Sequence, residues 1–348
     1  MSQPPKAFGP SDPSGITSVF ERLAGTLALV ERALRDQLPS DANLIGPLGE
    51  HVISSGGKRM RPALLLLTAE LCGYTGPRRV QIAAALELLH TATLVHDDVV
   101  DTSDLRRGRP SANAIWGNRR AVLAGDFFYA RASSMVVEDG SMAIVERFAD
   151  TVRMMAEGEL LQLQFSFDAA ATEAQYYDVI DRKSAALLCT ACECGAILGG
   201  STRGERRSIA MFGRELGLAF QLRDDALDYE RSSSELGKQR YADLREGKVT
   251  LPLLLTLKRC TNGERERIGS ILKRARQADA NAEAQEAVGE EDLGAVIGFV
   301  ERYRGVVDTV RRAEEHVARA THAIAAYPDG FARQGLEAAA GYAASRVH

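Results

Sequence analysis

From Ser18 onward apolar residues recur at spacings of three and four, Ala and Leu dominate, and the alternation that marks strands is nearly absent. The pattern predicts helices over Pro62 to Leu71, Val80 to Val95, Asn118 to Val137, Val145 to Leu163, Gln175 to Leu198 and Glu205 to Leu227. Several exceed the usual helix length, and the fold class is all-α. Clusters of glycine, proline and polar residues predict breaks at Ser54–Gly57, Gly73–Pro77, Thr102–Pro110, Gly199–Gly204, Ser232–Gly237 and Asn281–Gly294. None resembles an interdomain linker. One large helical bundle is therefore expected over residues 16–348, behind a polar tail, residues 1–15, rich in Pro, Ser and Gly.

Two of the helices end on the same acidic pattern. His96-Asp97-Asp98-Val99-Val100-Asp101 closes one apolar run, and Gln221-Leu222-Arg223-Asp224-Asp225-Ala226-Leu227-Asp228 closes another. In a helix Asp97 and Asp101, like Asp224 and Asp228, share a face, with Asp98 and Asp225 rotated by about 100°. Like charges so spaced repel by roughly 0.2–0.5 kcal/mol per exposed pair, so an arrangement used twice points to compensation by a cation. Magnesium is the natural candidate, a hard ion that bridges one or two carboxylates to substrate phosphates.

Basic groups answer these carboxylates. Gly56-Gly57-Lys58-Arg59-Met60-Arg61-Pro62 sets three cations in a glycine-rich turn before a helix that Pro62 can start, which suits a diphosphate cradle. Arg106-Arg107-Gly108 follows Asp101 closely enough to lie near the first acidic cluster. Lys183, Ser184, Gln221, Lys238 and Lys248 form a second polar set around the later helices. His90 lies about two helical turns before Asp97, on the same face.

Bulk composition narrows the partners. A net charge of −4 gives no reason to expect nucleic acid. No apolar stretch reaches the ~18 residues of a membrane span, and the N-terminus lacks the basic start and apolar run of a secretory signal. Five cysteines, an odd number, fit a reducing compartment, so a cytoplasmic location is expected. Cys189, Cys192 and Cys194 read as helix packing.

With these segments assembled, the chain resembles the trans-isoprenyl diphosphate synthase (polyprenyl synthetase) family, and most of all its long-chain bacterial octaprenyl/polyprenyl branch, which supplies quinone side chains. The likeness runs from about Leu23 to Ala344 and rests on GGKRMRP, ELLHTATLVHDDVVDTSDLRRGRPSANAIWGN, LAGDFFYARA, EGELLQL, RKSAAL, FQLRDDALDY, LGK and REGKVTLPLL. The resemblance implies an all-α bundle of the isoprenoid synthase type with a central active-site cavity, assembled as a homodimer. It implies head-to-tail (1′-4) condensation of isopentenyl diphosphate with an allylic diphosphate, using two to three Mg²⁺ ions for which Mn²⁺ can substitute.

Carried over by position, the resemblance assigns isopentenyl diphosphate to Lys58, Arg61, His90 and Arg107. The allylic diphosphate falls to Arg106, Lys183, Ser184, Gln221, Lys238 and Lys248. Asp97, Asp101 and Asp224 become the metal ligands, with Asp98, Asp225 and Asp228 completing the catalytic clusters. One departure is visible: Tyr241 stands where the family commonly has glycine, and Ala242 where an acidic or amide residue is frequent, although Asp243 is kept.

The helix before Asp97 is expected to line the tunnel for the growing chain. Ala92 sits about 7.5 Å upstream of Asp97, and with Ala85 and Ala84 it leaves the path open for a long product, beyond C20 and on the order of C40. Leu89 and Leu88 are the nearest candidate constrictions. Alternatives are a shorter-chain C15–C20 synthase, a class I terpene cyclase, and a silent partner subunit. The last two explain the basic turn, His90, Arg107 and both intact acidic clusters less well.

Overall fold

The computed structural model describes residues 13–55, 57–230, 241–280 and 289–346. These residues form helices α1 (Pro13–Arg35), α2 (Ile45–Ser54), α3 (Met60–Leu71), α4 (Arg78–Val100), α5 (Ala112–Trp116), α6 (Asn118–Asp139), α7 (Met142–Phe165) and α8 (Glu173–Ile180). They continue as α9 (Ala186–Leu198), α10 (Arg203–Glu230), α11 (Ala242–Arg245), α12 (Leu251–Arg259), α13 (Asn262–Ala280), α14 (Glu290–Arg302), α15 (Gly305–Ala323) and α16 (Phe331–Ser345). Each predicted helix is present. The span Gln175 to Leu198, read as one rod, is α8 and α9 joined by a π-helical turn, Asp181–Ala185, in which Ala186 N–H reaches back five residues to Asp181 O.

A helix apolar on every side must lie at the centre of the fold. This is true of α3, whose Leu64 to Leu67 are all buried, and of α4, buried from Ile82 to Leu89. Around them pack α1, α6, α9, α10 and α16. Close crossings depend on glycine: a Cβ on Gly195 of α9 would sit 2.7 Å from Leu65 O and Ala69 N of α3, and one on Gly217 of α10 would sit 2.5 Å from Ala185 Cα. The outer side of α10 is tied to α15 by buried Glu215, which accepts 2.7 Å hydrogen bonds from His316 Nδ1 and Arg319 Nε. A smaller second core, including Tyr229, Leu253, Leu257, Ile268, Leu272 and Val296, gathers α12 to α14 beside the main bundle.

Three details depart from the pattern read along the chain. The break expected over Asn281–Gly294 is too long, because α14 already starts at Glu290, with Glu290, Glu291 and Asp292 favouring its first turn. The break at Thr102–Pro110 contains a minimal antiparallel hairpin, β1 (Leu105–Arg106) with β2 (Arg109–Pro110). Its turn residues Arg107 and Gly108 both have positive φ, 52° and 74°. Helix α1 begins at Pro13, inside the stretch read as a tail. The break at Ser232–Gly237 lies outside the described residues. Cys189, Cys192 and Cys194 are buried on α9, where burial pushes their thiols up. No helix among the described residues is long and apolar enough to cross a membrane.

Candidate active site

Helices α3, α4, α6, α7, α9, α10 and α16 enclose a cavity of about 970 Å³. Its walls include thirteen of the residues singled out in the sequence: Lys58, Arg61, Leu89, His90, Ala92, Asp97, Asp98, Arg106, Arg107, Lys183, Ser184, Gln221 and Asp224. The two acidic helix ends and the two basic turns, far apart in the chain, thus meet on one chamber.

One side is strongly cationic. Arg59, left-handed at φ 46°, caps α3 and spends its guanidinium on the protein: Nε pairs with Glu31 at 2.6 Å, Nη1 with buried Glu87 at 3.0 Å, and Nη2 donates to Ile53 O at 2.9 Å. Arg61 is left less satisfied. Its Nε is buried with no hydrogen-bond partner among the described residues, and burial, with repulsion from Arg107, lowers its pKa. Gly57 packs against Arg107, whose Nη1 would lie 3.0 Å from any Cβ there. Lys58 meets the Tyr342 hydroxyl, with Nζ 4.5 Å from the ring centroid. His90 is held neutral, its pKa pushed well below the ordinary value by burial and by Arg61, Arg106, Arg107 and Arg59. A cavity wall with this excess of positive charge, from part-buried Arg61 and His90 out to exposed Lys58 and Arg107, suits an anion.

The facing side carries the aspartates, and they divide by environment. Asp97 is pushed up to about 6 by burial, against the pull of Lys183, which itself pairs with Glu159. Asp98 is buried and receives Arg106, whose Nε lies 2.8 and 2.9 Å from its two oxygens. Asp101 caps α4 outside the cavity lining, 3.5 Å from Lys248 Nζ. On α10, Asp224 lines the cavity and pairs with Arg346. Asp225 is buried beneath it, accepting from the Tyr176 hydroxyl and, at 2.7 Å, from Gln221 Nε2. Gln221 Oε1 accepts from Ser184 Oγ, also at 2.7 Å. Burial raises the Asp225 pKa. Asp228 turns to the protein, accepting from the amides of Ala242 at 3.2 Å and Asp243 at 3.1 Å, so it anchors the segment that follows Tyr241.

Not every expected residue reaches the chamber. Leu88 and Ala85 are fully buried outside its lining. Leu88 is rotated by about 100° from Leu89 into the packed core, and Ala85 lies one turn below Leu89 on α4, where the lining has ended. Lys248 also stands off the lining, between Asp101 and Glu246, which hold it as a cation. Lys238 lies outside the described residues. Residues absent from the sequence reading join the wall instead: Glu87 on α4, Tyr129 on α6, Val152 and Met155 on α7, and Tyr342 with Arg346 at the chain's end. A single acid inside Ala83-to-Leu89 was a signal for Glu87; nothing local marks Tyr342 or Arg346.

The donors fit a hard divalent ion. They are carboxylate oxygens, and Asp97 is a part-buried acid, raised to about 6 by desolvation, that a cation would relieve. Among the described residues no three His, Cys, Asp or Glu side chains converge into a metal cage.

Residues 43–290, more than half of the chain, match the model of the family described as polyprenyl synthetase. The chain belongs to the polyprenyl synthetase family. As a polyprenyl synthetase it is a trans-prenyltransferase, and its family depends on divalent metal and uses isopentenyl and allylic diphosphates. It is 40% identical over 321 residues to octaprenyl diphosphate synthase of Escherichia coli, covering 92% of this chain and 96% of that one. Against the all-trans-nonaprenyl-diphosphate synthase of Rhodobacter capsulatus, the identity is 39% over 91% of this chain and 94% of the other. The fold matches the polyprenyl synthase of Caulobacter crescentus CB15, solved with calcium and isoprenyl diphosphate, at a TM-score of 0.87 and 37% identity, over 99% of this chain and 100% of that one.

Proposed function

We propose that this polyprenyl synthetase makes a long-chain all-trans polyprenyl diphosphate by repeated Mg²⁺-dependent addition of isopentenyl diphosphate to an allylic diphosphate. The observation that carries the reading is one cavity with two chemistries: cations and carboxylates on part of its wall, and Ala92, Leu89, Leu187, Leu188, Val152 and Met155 on the rest.

Lys58, Arg61, His90 and Arg107 receive the isopentenyl diphosphate, where guanidinium forks suit its oxygens. Arg106, Lys183, Ser184 and Gln221, with Lys238 and Lys248, orient the allylic diphosphate opposite. Two to three Mg²⁺ ions held by Asp97, Asp101 and Asp224, with Mn²⁺ as a substitute, would neutralise charge on the departing diphosphate. Asp98, Asp225 and Asp228 hold Arg106, Gln221 and the Tyr241 segment in register with those ligands. When the allylic C–O bond breaks, its electron pair leaves with the diphosphate, and the isopentenyl double bond then attacks the allylic cation. A proton lost from the adduct restores neutrality, and the released diphosphate is its nearest base. The apolar wall keeps water from the cation.

The catalytic unit spans residues 16–348, a cytoplasmic location fits the composition, and quinone side chains are the proposed destination of the product. A homodimer is supported by Val122, Leu123 and Val137, exposed along α6, and by Leu160 and Leu163, exposed on α7.

Purified protein incubated with Mg²⁺, farnesyl diphosphate and labelled isopentenyl diphosphate should give, after dephosphorylation and chromatography, a ladder ending in one dominant long polyprenol. Products stopping at C15 or C20 would replace the reading with a short-chain synthase. A cyclised or untouched allylic substrate would favour a cyclase or a silent subunit.

A further inference from the structure

Arg346 has no part in the assignments above, yet it lies in the chamber. It follows α16, is 8% exposed, and its guanidinium meets Asp224, the only aspartate of the second cluster on the cavity wall among the described residues. Nη2 also donates to Phe220 O at 2.9 Å, and the guanidinium carbon lies 3.4 Å from the Phe220 ring centroid. Nε is buried with no hydrogen-bond partner among the described residues. The Arg346 carbonyl accepts from Arg223 Nε at 3.0 Å, and Arg223 is held in turn by Glu230 at 2.9 Å. Consecutive residues of α10 therefore grip the same residue in two ways, Arg223 by its backbone and Asp224 by its side chain.

We propose that Arg346 is a partner-exchanging counter-ion, which neutralises Asp224 until the metal arrives and then passes its guanidinium to the allylic diphosphate. This deepens the function proposed above and rests on Asp224 being a metal ligand. A guanidinium stays charged at any working pH, and a buried one stripped of its carboxylate needs another anion. The anion that enters this cavity with the metal is the diphosphate, whose oxygens a guanidinium can chelate in a fork. Arg223 fixes the backbone of Arg346 and Phe220 lies against its guanidinium, so the exchange is a movement of the side chain alone. Metal alone must compete with Arg346 for Asp224, whereas metal with diphosphate supplies a new partner. The two ligands are thereby linked, each strengthening the other.

The test measures Mn²⁺ binding to the purified full chain by electron paramagnetic resonance of the free ion, first with no diphosphate and then with inorganic diphosphate. Without diphosphate, Arg346→Gln should bind Mn²⁺ roughly two- to fivefold more tightly than the parent, the range an ion pair of this exposure can account for. The gain in Mn²⁺ affinity caused by diphosphate should shrink by a similar factor. Arg346→Lys, which keeps the charge but loses the fork, should move both quantities the same way by less, and it carries the test if Arg346→Gln does not fold. Unchanged or weaker Mn²⁺ binding without diphosphate in the variant tested would overturn the proposal. Asp224→Asn, measured alongside, should weaken Mn²⁺ binding; if it does not, the ligand role of Asp224 fails, and the exchange with it.

Discussion

A carboxyl that burial has pushed up to about 6, as at Asp97, records a conflict between folding and function. Between about pH 4 and pH 6 the folded chain holds a proton there that the unfolded chain has released, so this group favours folding at low pH and opposes it above pH 6. Asp97→Asn should stabilise the metal-free protein at pH 8 by about 1–3 kcal/mol, with the gain fading as the pH falls towards 4. Urea denaturation in the presence of a chelator at several pH values measures it; a gain independent of pH would refute the burial argument. Protons also compete with the metal, so Mg²⁺ affinity measured by calorimetry should drop below pH 6 and hold above pH 7. Asp97 and its neighbours were legible in the sequence because the acidic pattern is local and occurs twice. Arg346 and Tyr342 were not, because their partners Asp224 and Lys58 belong to distant parts of the chain, and a contact between distant segments leaves no periodic trace.

Helices serve here as walls, and their small residues decide how close those walls come. At Gly195 an added methyl would press on Thr68 Oγ1 and on the α3 backbone, which cannot yield as a flexible side chain does. Gly195→Ala should destabilise the chain by about 1–3 kcal/mol in chemical denaturation, although alanine is the better helix former; a neutral result would mean that α3 and α9 can separate freely. The opposite logic holds at Ala92, where the neighbouring space is cavity. Ala92→Phe should shorten the polyprenol product, and an unchanged length would place the growing chain elsewhere. The long helices were readable from apolar spacing alone. The hairpin at Leu105–Pro110 was hidden because two residues per strand cannot establish a period, and Tyr241 illustrates a different blind spot. Its φ of 59° is the left-handed conformation that glycine adopts freely, and its ring leans on Tyr229 with 6.1 Å between centroids.

At the scale of the whole molecule, the apolar side chains along α6 are among those that the bundle leaves exposed. Leu123→Asp should convert a dimer to a monomer in sedimentation or light scattering while leaving the circular dichroism spectrum intact; a monomeric parent would remove the dimer reading. The convergence of two acidic helix ends and two basic turns on one chamber could be argued from sequence because their charges demand each other. The second core around Leu257 and Leu272 could not, since a buried stripe shows that a helix packs but not which neighbour it packs against.

The π-helical turn at Asp181–Ala185 makes the chain's length part of its chemistry. This turn presents Lys183 and Ser184 to the cavity while α8 holds Tyr176 on Asp225 and α9 stays locked in the core, with Gly158 of α7 allowing Lys183 N so near that a Cβ there would sit 2.7 Å away. Losing one residue from the turn would let α8 and α9 merge into a single regular helix, swinging everything before the deletion by about 100° about the axis. Tyr176 would then leave Asp225 and the Ser184–Gln221 pairing would be mistimed, in a helix with better hydrogen bonds than before. In this segment the working protein is the imperfectly wound one, because the extra residue sets the phase in which Tyr176 and Ile180 of α8 meet Leu218 and Leu222 of α10.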